Sequence, residues 1–223
     1  FFIAPFLDMA DSTVFLLEVI IGGLMAGIMY SLVALGFVLI YKASGVFNYA
    51  QGAMVLFAAL TLVGLMERHV PLIIAVVISM GVMVGLAYLI ERFMLRKLVN
   101  QAQIILFMAT IGLNFVLEGA GQIAWGSNVK KLDVGIPEKS FEIGGVLLNT
   151  FDLFAAGIAA FMVFVLAVFF QKTATGRALR AVADDHQAAL SVGIPLKTIW
   201  VIVWSVAGFV ALVAGIMWGG KGG

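Results

Sequence analysis

Val19-Ile-Ile-Gly-Gly-Leu-Met-Ala-Gly-Ile-Met-Tyr-Ser-Leu-Val-Ala-Leu-Gly-Phe-Val-Leu-Ile-Tyr41 runs for 23 residues without a charged side chain. A helix needs about 20 residues to cross a hydrocarbon core, and a charge at its centre costs roughly 2.5–3.5 kcal/mol. The stretch therefore reads as a membrane span. Five more uncharged stretches follow: Ala43 to Met66, Val70 to Ile90, Leu98 to Leu117, Leu153 to Gln171 and Thr198 to Gly220. Across the 223 residues, 63% are hydrophobic and 11% charged, with a net charge of +1. A soluble chain is about 45–50% apolar and about 25% charged, so a soluble enzyme, a disordered tail and a basic nucleic-acid binder are all excluded. The fold class is all-α: a polytopic helical membrane protein of about six transmembrane helices, in contact with the lipid bilayer and with no nucleic-acid partner.

Orientation follows from the basic residues. With the N-terminus outside, the inner side holds Lys42, Arg92, Arg96, Lys97, Lys172, Arg177, Arg180 and Lys197. The outer side holds Arg68, Lys130, Lys131, Lys139 and Lys221. Eight against five favours an outer N-terminus. The absence of cysteine fits a fold held by lipid and packing. No secretory signal precedes the first span, and the sequence starts at Phe1 rather than Met, so the spans themselves are expected to direct insertion.

The connections are unequal. Lys42 to Ser44 and Glu67 to Pro71 read as tight turns, and Glu91 to Gln103 as a basic inner loop. The outer loop from about Gly126 to Asp152 carries an alternating stretch, Ser140 to Leu148, expected to form a short hairpin. In the fourth span the polar run Asn100 to Gln103 moves the helix to about Ile104–Trp125, which places Glu118 inside the bilayer. An ionisable residue at that depth is a functional candidate, although a carboxyl bonded to a neighbouring helix is an equal reading. Gly23, Gly27 and Ser31 on the first span, and Gly81 and Gly85 on the third, have the spacing of small residues that let helices approach closely.

The inner loop, residues 172–197, carries more pattern. Thr175 is expected to cap a helix whose Leu179, Val182 and Ala183 share one face. Asp184 followed by Gln187 resembles a capping box. A second short helix, Asp185 to Val192, would stop at Gly193, with Pro195 opening the last span. The result is a short cytoplasmic coupling-helix pair with an acidic corner. Its two arginines, Arg177 and Arg180, are opposed by Asp184 and Asp185, which disfavours plain membrane-surface binding and favours docking to a cytoplasmic partner.

Four segments carry a family resemblance. Gln187-Ala188-Ala189 with Gly193 four residues on resembles the EAA…G pattern of ABC importer permeases, with Gln in place of Glu. Tyr30 through Ala53, with Asn48-Tyr-Ala-Gln-Gly52, is similar to the stretch joining the first two spans in branched-chain amino acid permeases of the LivH type. Gly112-Leu-Asn-Phe-Val-Leu-Glu-Gly119 and Gly176-Arg-Ala-Leu-Arg-Ala-Val182 resemble the same family. The likeness implies a single transmembrane permease domain over 1–223 that continues with further spans in the family, so a C-terminally truncated chain is expected. It implies a multi-pass protein of the bacterial inner membrane. Its partners would be a second, homologous permease subunit, two ATPase subunits and a periplasmic substrate-binding protein. The cargo would be a branched-chain amino acid, with urea and short-chain amide permeases as near relatives.

On this reading the chain is a non-catalytic subunit that binds no cofactor, ATP and Mg being held by the partner ATPase. Gly215-Ile-Met-Trp-Gly-Gly-Lys-Gly222 matches G-x-x-x-x-G-K but lacks the Ser or Thr that would reach Mg²⁺, and it follows a span rather than a strand. His69 and His186 have no companion at metal-ligand spacing, so no metal site is expected. Candidate pathway residues are Asn48 and Gln51, near a helix start interrupted by Gly45 and Gly52, and Thr110, Asn114, Glu118 and Gln122 on one face of the fourth span. Interhelical hydrogen bonding, worth about 0.6 kcal/mol per contact, accounts for the same stripe. Candidate coupling residues are Arg177, Arg180, Asp184, Asp185, Gln187, Ala188, Ala189 and Gly193. An ion-coupled secondary transporter, the rival reading, usually shows several intramembrane acids and an inverted repeat. Here there is one acid and no clear repeat.

Overall fold

A computed structural model describes residues 13–98, 101–128, 130, 132, 140–143, 146–184, 191 and 195–222. Seven α-helices lie among the described residues: α1 Thr13–Ser44, α2 Gln51–Glu67, α3 Leu72–Phe93, α4 Gln103–Trp125, α5 Thr150–Lys172, α6 Ala174–Asp184 and α7 Leu196–Gly222. A 3₁₀ turn, Leu95–Lys97, follows α3. Strands β1 Ser140–Ile143 and β2 Val146–Asn149 form the expected antiparallel hairpin, with Ser140 opposite Asn149 and Ile143 opposite Val146.

Five helices, α1, α3, α4, α5 and α7, are long and apolar enough to cross a bilayer. The sixth expected span, α2, has 17 residues, about 26 Å of helix against a core of about 30 Å. It is short because the chain leaves α1 late: α1 continues to Ser44, and Gly45, at φ +66°, ends it. The left-handed conformation suits glycine, which has no Cβ to clash. Gly52 lies inside α2 and does not interrupt it. At the far end of α2, His69 adopts φ +61° in a turn closed by bonds to the Leu65 and Met66 carbonyls, and Pro71 precedes α3.

Helix ends follow local chemistry. Asn149 Oδ1 accepts from the Phe151 N–H at 2.8 Å and caps α5. The cap of α6 is Thr173 and not Thr175: Thr173 Oγ1 accepts from the Gly176 N–H at 2.9 Å. Only Thr173 separates α5 from α6, in extended backbone, so Thr175 already lies within the first turn. A Cβ on Gly176 would come within 2.5 Å of the Phe169 and Phe170 carbonyls, so this sharp corner needs glycine. The second helix of the coupling pair, Asp185 to Val192, lies outside the described residues, Ser191 apart.

α7 is the centre of the bundle and packs on α1, α2 and α3, with lesser contact to α5 and α6. Trp204, Val203, Ala207, Val210, Ala211, Leu212 and Ala214 are all buried. Close approach is made by Gly208, whose position faces Met83 of α3, and by Gly215, where a Cβ would lie 2.9 Å from the Val55 carbonyl of α2. The glycines expected to serve this purpose do not. Among the described residues, no atom of another element comes within 4 Å of a Cβ added at Gly23, Gly27, Gly81 or Gly85, and all four lie on outward faces. A four-residue spacing sets a common face but not which way that face points.

Contacts at the helix ends fix which loops share a side. Lys221 Nζ is 2.7 Å from Asp152 Oδ1, Lys130 pairs with Glu67, and Arg68 lies over the Trp125 ring at 5.5 Å. All six residues belong to the end read as outer. At the opposite end Arg96 makes a two-pronged bond to Glu91, whose side chain is 1% exposed. Outward-facing apolar residues such as Ile73, Phe115, Ile123 and Phe164 clothe the bundle where lipid would surround it.

Candidate functional site

The polar residues at the entry to α2 and along α4 fall into three small groups. Asn48 and Gln51 are fully buried. Asn48 Oδ1 accepts from the Ala50 N–H at 3.2 Å, closing the local turn from which α2 starts, and its Nδ2 donates to Gln51 Oε1 at 3.2 Å. The Gln51 amide fills the space that a side chain at Gly36 would need: a Cβ there would meet Gln51 Nε2 at 2.0 Å. Gln51 Nε2 has no hydrogen-bond partner among the described residues. This pair therefore lies inside the α1–α2 contact in the single chain, not on a cavity wall.

Thr110, also fully buried, joins α4 to that turn. Its hydroxyl accepts from the Tyr49 N–H at 3.0 Å and lies 3.1 Å from the Phe47 carbonyl and 2.8 Å from that of Phe107. Phe47, Tyr49 and Phe107 add ring contacts at 5.7 and 6.1 Å between centroids. An irregular backbone segment within the bundle is thus satisfied by one threonine of the next helix, as a low-dielectric setting requires.

Asn114 and Glu118 come next along α4. Asn114 Nδ2 donates to Glu118 Oε1 at 2.8 Å. Both line an open cavity of about 390 Å³ together with Val33 and Phe37 of α1, Tyr49, and Gly52, Ala53 and Leu56 of α2. Among the described residues Glu118 is the charged member of this lining. Such a cavity offers one carboxylate, one amide and an apolar wall. Gln122, one turn further on, is exposed and lies outside the lining. Tyr49 and Phe37 were not among the sequence candidates. The signal for Tyr49 is its place inside Asn48-Tyr-Ala-Gln-Gly52, between the candidates Asn48 and Gln51.

The coupling residues divide. Arg177 and Arg180 are exposed on α6, while Leu179 and Val182 on its other face are buried in the cluster that holds Ala43, Val46, Ile199 and Trp200. Asp184 ends the helix. Asp185, Gln187, Ala188, Ala189 and Gly193 lie outside the described residues. The Gly215–Lys221 stretch is continuous helix, with Lys221 committed to Asp152.

Residues 19–220 match the family described as branched-chain amino acid transport system, permease component. The chain belongs to this family. The branched-chain amino acid permease BraD of Pseudomonas aeruginosa is 26% identical over 216 residues, covering 91% of this chain and 70% of BraD. LivH of Salmonella typhimurium is 25% identical over 232 residues, covering 95% and 73%. A probable LivH of Methanocaldococcus jannaschii is 29% identical over 193 residues, covering 82% and 60%. No solved structure matches. As a member of a transporter permease family with several apolar spanning helices, the protein is a multi-pass membrane permease component.

Proposed function

We propose that this permease component forms part of the membrane pathway of an ABC importer for branched-chain amino acids in the bacterial inner membrane. Two ATPase subunits drive it, a periplasmic binding protein delivers substrate, and a second, homologous permease subunit completes the pathway. The chain itself does no catalysis and binds no cofactor. The observation that carries the reading is the cavity bounded by Asn114, Glu118 and Tyr49, set in a chain that matches the permease family from residue 19 to 220. An aliphatic zwitterion needs an anion for its ammonium group, a donor for its carboxylate and apolar cover for its side chain. Glu118, Asn114 and the Val33–Phe37–Leu56 wall are of those three kinds. Asn48, Gln51 and Thr110 stand behind them and hold the turn that carries Tyr49, and Gln122 continues the face outward.

The motor acts through α6 and the segment after it. Leu179 and Val182 root α6 in the bundle and leave Arg177 and Arg180 outward, so a push on the arginine face moves the ends of α1 and α7. Asp184, Asp185 and Gln187-Ala188-Ala189…Gly193 would complete the docking element. The experiment is uptake of labelled leucine and of urea by sealed vesicles holding the permease with its gene neighbours. Leucine uptake that requires ATP and the ATPase, and release of the ATPase by Gly193→Trp, is the expected result. Leucine uptake without ATP or companion subunits overturns the mechanism, and preference for urea overturns the substrate.

A further inference from the structure

A second groove, of about 340 Å³, opens between α1, α5 and α6 at the end where Lys172 lies. Its walls are apolar, built from residues such as Leu39 of α1 and Ala167 and Phe170 of α5. Its rim is not. Lys42 from the last turn of α1, Gln171 from the end of α5 and Arg180 from α6 all border it, and all three are exposed. No ion pair to Lys42 or Arg180 is formed by the described side chains, which do not include those of Asp184 and Asp185. Three separate elements therefore bring two cations and an amide to the mouth of a hydrocarbon slot, at the depth where a spanning helix meets the membrane surface.

We propose that this groove holds an anionic phospholipid, one acyl chain lying along Leu39, Ala167 and Phe170 and the phosphate group on Lys42 and Arg180. Charge and shape select this occupant. A free phosphate would use the rim and leave the apolar wall empty, and a neutral lipid would fill the wall and bring no anion to the basic rim. A second copy packed here about a two-fold axis would bring its own Lys42 and Arg180 against these, an arrangement that like-charge repulsion disfavours. Basic pockets between spanning helices on the cytoplasmic side suit anionic headgroups, with about 1 kcal/mol for each Lys or Arg near the surface. Only the name of the leaflet, the inner one, rests on the orientation used above. Because Arg180 belongs to α6, the bound lipid would also tie that helix to α1 and α5.

The test is native mass spectrometry of the intact transporter in micelles supplemented with phosphatidylglycerol or phosphatidylcholine. The wild type is expected to keep one phosphatidylglycerol per permease chain, and inorganic phosphate not to displace it. Lys42→Gln and Arg180→Gln are each expected to weaken retention roughly 5-fold and the pair roughly 30-fold. Ala167→Trp fills the groove while leaving both cations in place, and is expected to abolish retention even if the charge variants disturb the α1 end. Equal retention of phosphatidylcholine, displacement by phosphate, or undiminished retention in both Ala167→Trp and the double variant overturns the site. So does Ala167→Cys that is shielded from a membrane-permeant maleimide by a neighbouring subunit in lipid-stripped complex. Retention is read without transport, so its failure leaves the permease reading untouched.

Discussion

α7 and α4 are both uncharged over most of their length and both long enough to span, yet the bundle uses them in opposite ways. In α7, 61% of the most apolar window is buried, and in α4 only 17%. α7 presents alanine, glycine and valine to neighbours on several sides, with Gly208 against the Met83 side chain and Gly215 against the Val55 backbone. α4 leans mainly on α2 and the turn before it, buries Thr110, Leu117 and Gly121, and leaves most of its surface free. Lipid is as apolar as leucine, so hydrophobicity does not hold helices together here. Close packing and hydrogen bonds do. The difference teaches that cohesion resides in the helix with small residues on all sides, and chemistry in the helix with a polar face.

The sharpest way to break this division is to enlarge a packing glycine. Gly215→Leu in α7 places side-chain carbon against the Val55 backbone, which has no flexible end to move aside. A cost of about 3 kcal/mol or more is expected, from overpacking. Membrane-folded protein, measured by fluorescence size-exclusion profile, should fall steeply, with any residual uptake in proportion to abundance. A normal profile would show that α7 is not the hub. The next effect belongs to the join between the two regions. Thr110→Val keeps the volume but strands the Tyr49 N–H in a buried site, at a cost of about 1–3 kcal/mol. Thermal stability in detergent should drop and leucine uptake should fall beyond what abundance explains, because Tyr49 lines the cavity. An unchanged melting point would mean that the Phe47–Tyr49 turn is held without Thr110.

How much of this was open to sequence reading depends on whether the deciding fact was local. Five of the expected spans, the α4 window from about Ile104, the Ser140–Leu148 hairpin and the break at Gly45 follow from charge-free length, alternation and glycine chemistry and are present, whereas α2 is short for a span and the turn read at Lys42 to Ser44 is the last turn of α1, because the helix continues until Gly45 can leave it. The cap of α6 was misplaced by two residues because both Thr173 and Thr175 suit the position. The choice was made by how closely α6 follows α5, a tertiary matter. The glycine stripes failed for a similar reason. Gly23 and Gly81 have the same spacing logic as the glycines of α7, but which helix occupies the centre is decided by all the contacts together. Polar candidates were located but not sorted: burial of Asn48 and Gln51 depends on how α1 meets α2 at Gly36, and the cavity position of Asn114 and Glu118 on which face of α4 meets α2. The Glu91–Arg96 pair was counted only as charge, because a five-residue separation across a helix end and a 3₁₀ turn gives no periodic signal.

Two substitutions on α4 test whether its polar face acts as a stripe or only where the cavity is. Asn114→Leu removes the amide bonded to Glu118 and is expected to lower leucine uptake about 10-fold, the equivalent of about 1.4 kcal/mol, with membrane abundance unchanged. Unchanged uptake would take the amide out of the pathway. Gln122→Leu, two turns on, changes an exposed residue outside the cavity lining. Since an apolar side chain suits a lipid-facing position at least as well, stability should hold and uptake should change by less than about 2-fold, within the ±0.5 kcal/mol usual for surface changes. The contrast between the two carries more than either alone. Equal losses at Asn114 and Gln122 would mean that substrate, or a second permease subunit, follows the whole face of α4, and that the Asn114–Glu118 cavity is one stop along a longer polar track. A loss at Asn114 alone confines the chemistry to the wall that α4 shares with Tyr49, where one carboxylate meets an apolar pocket.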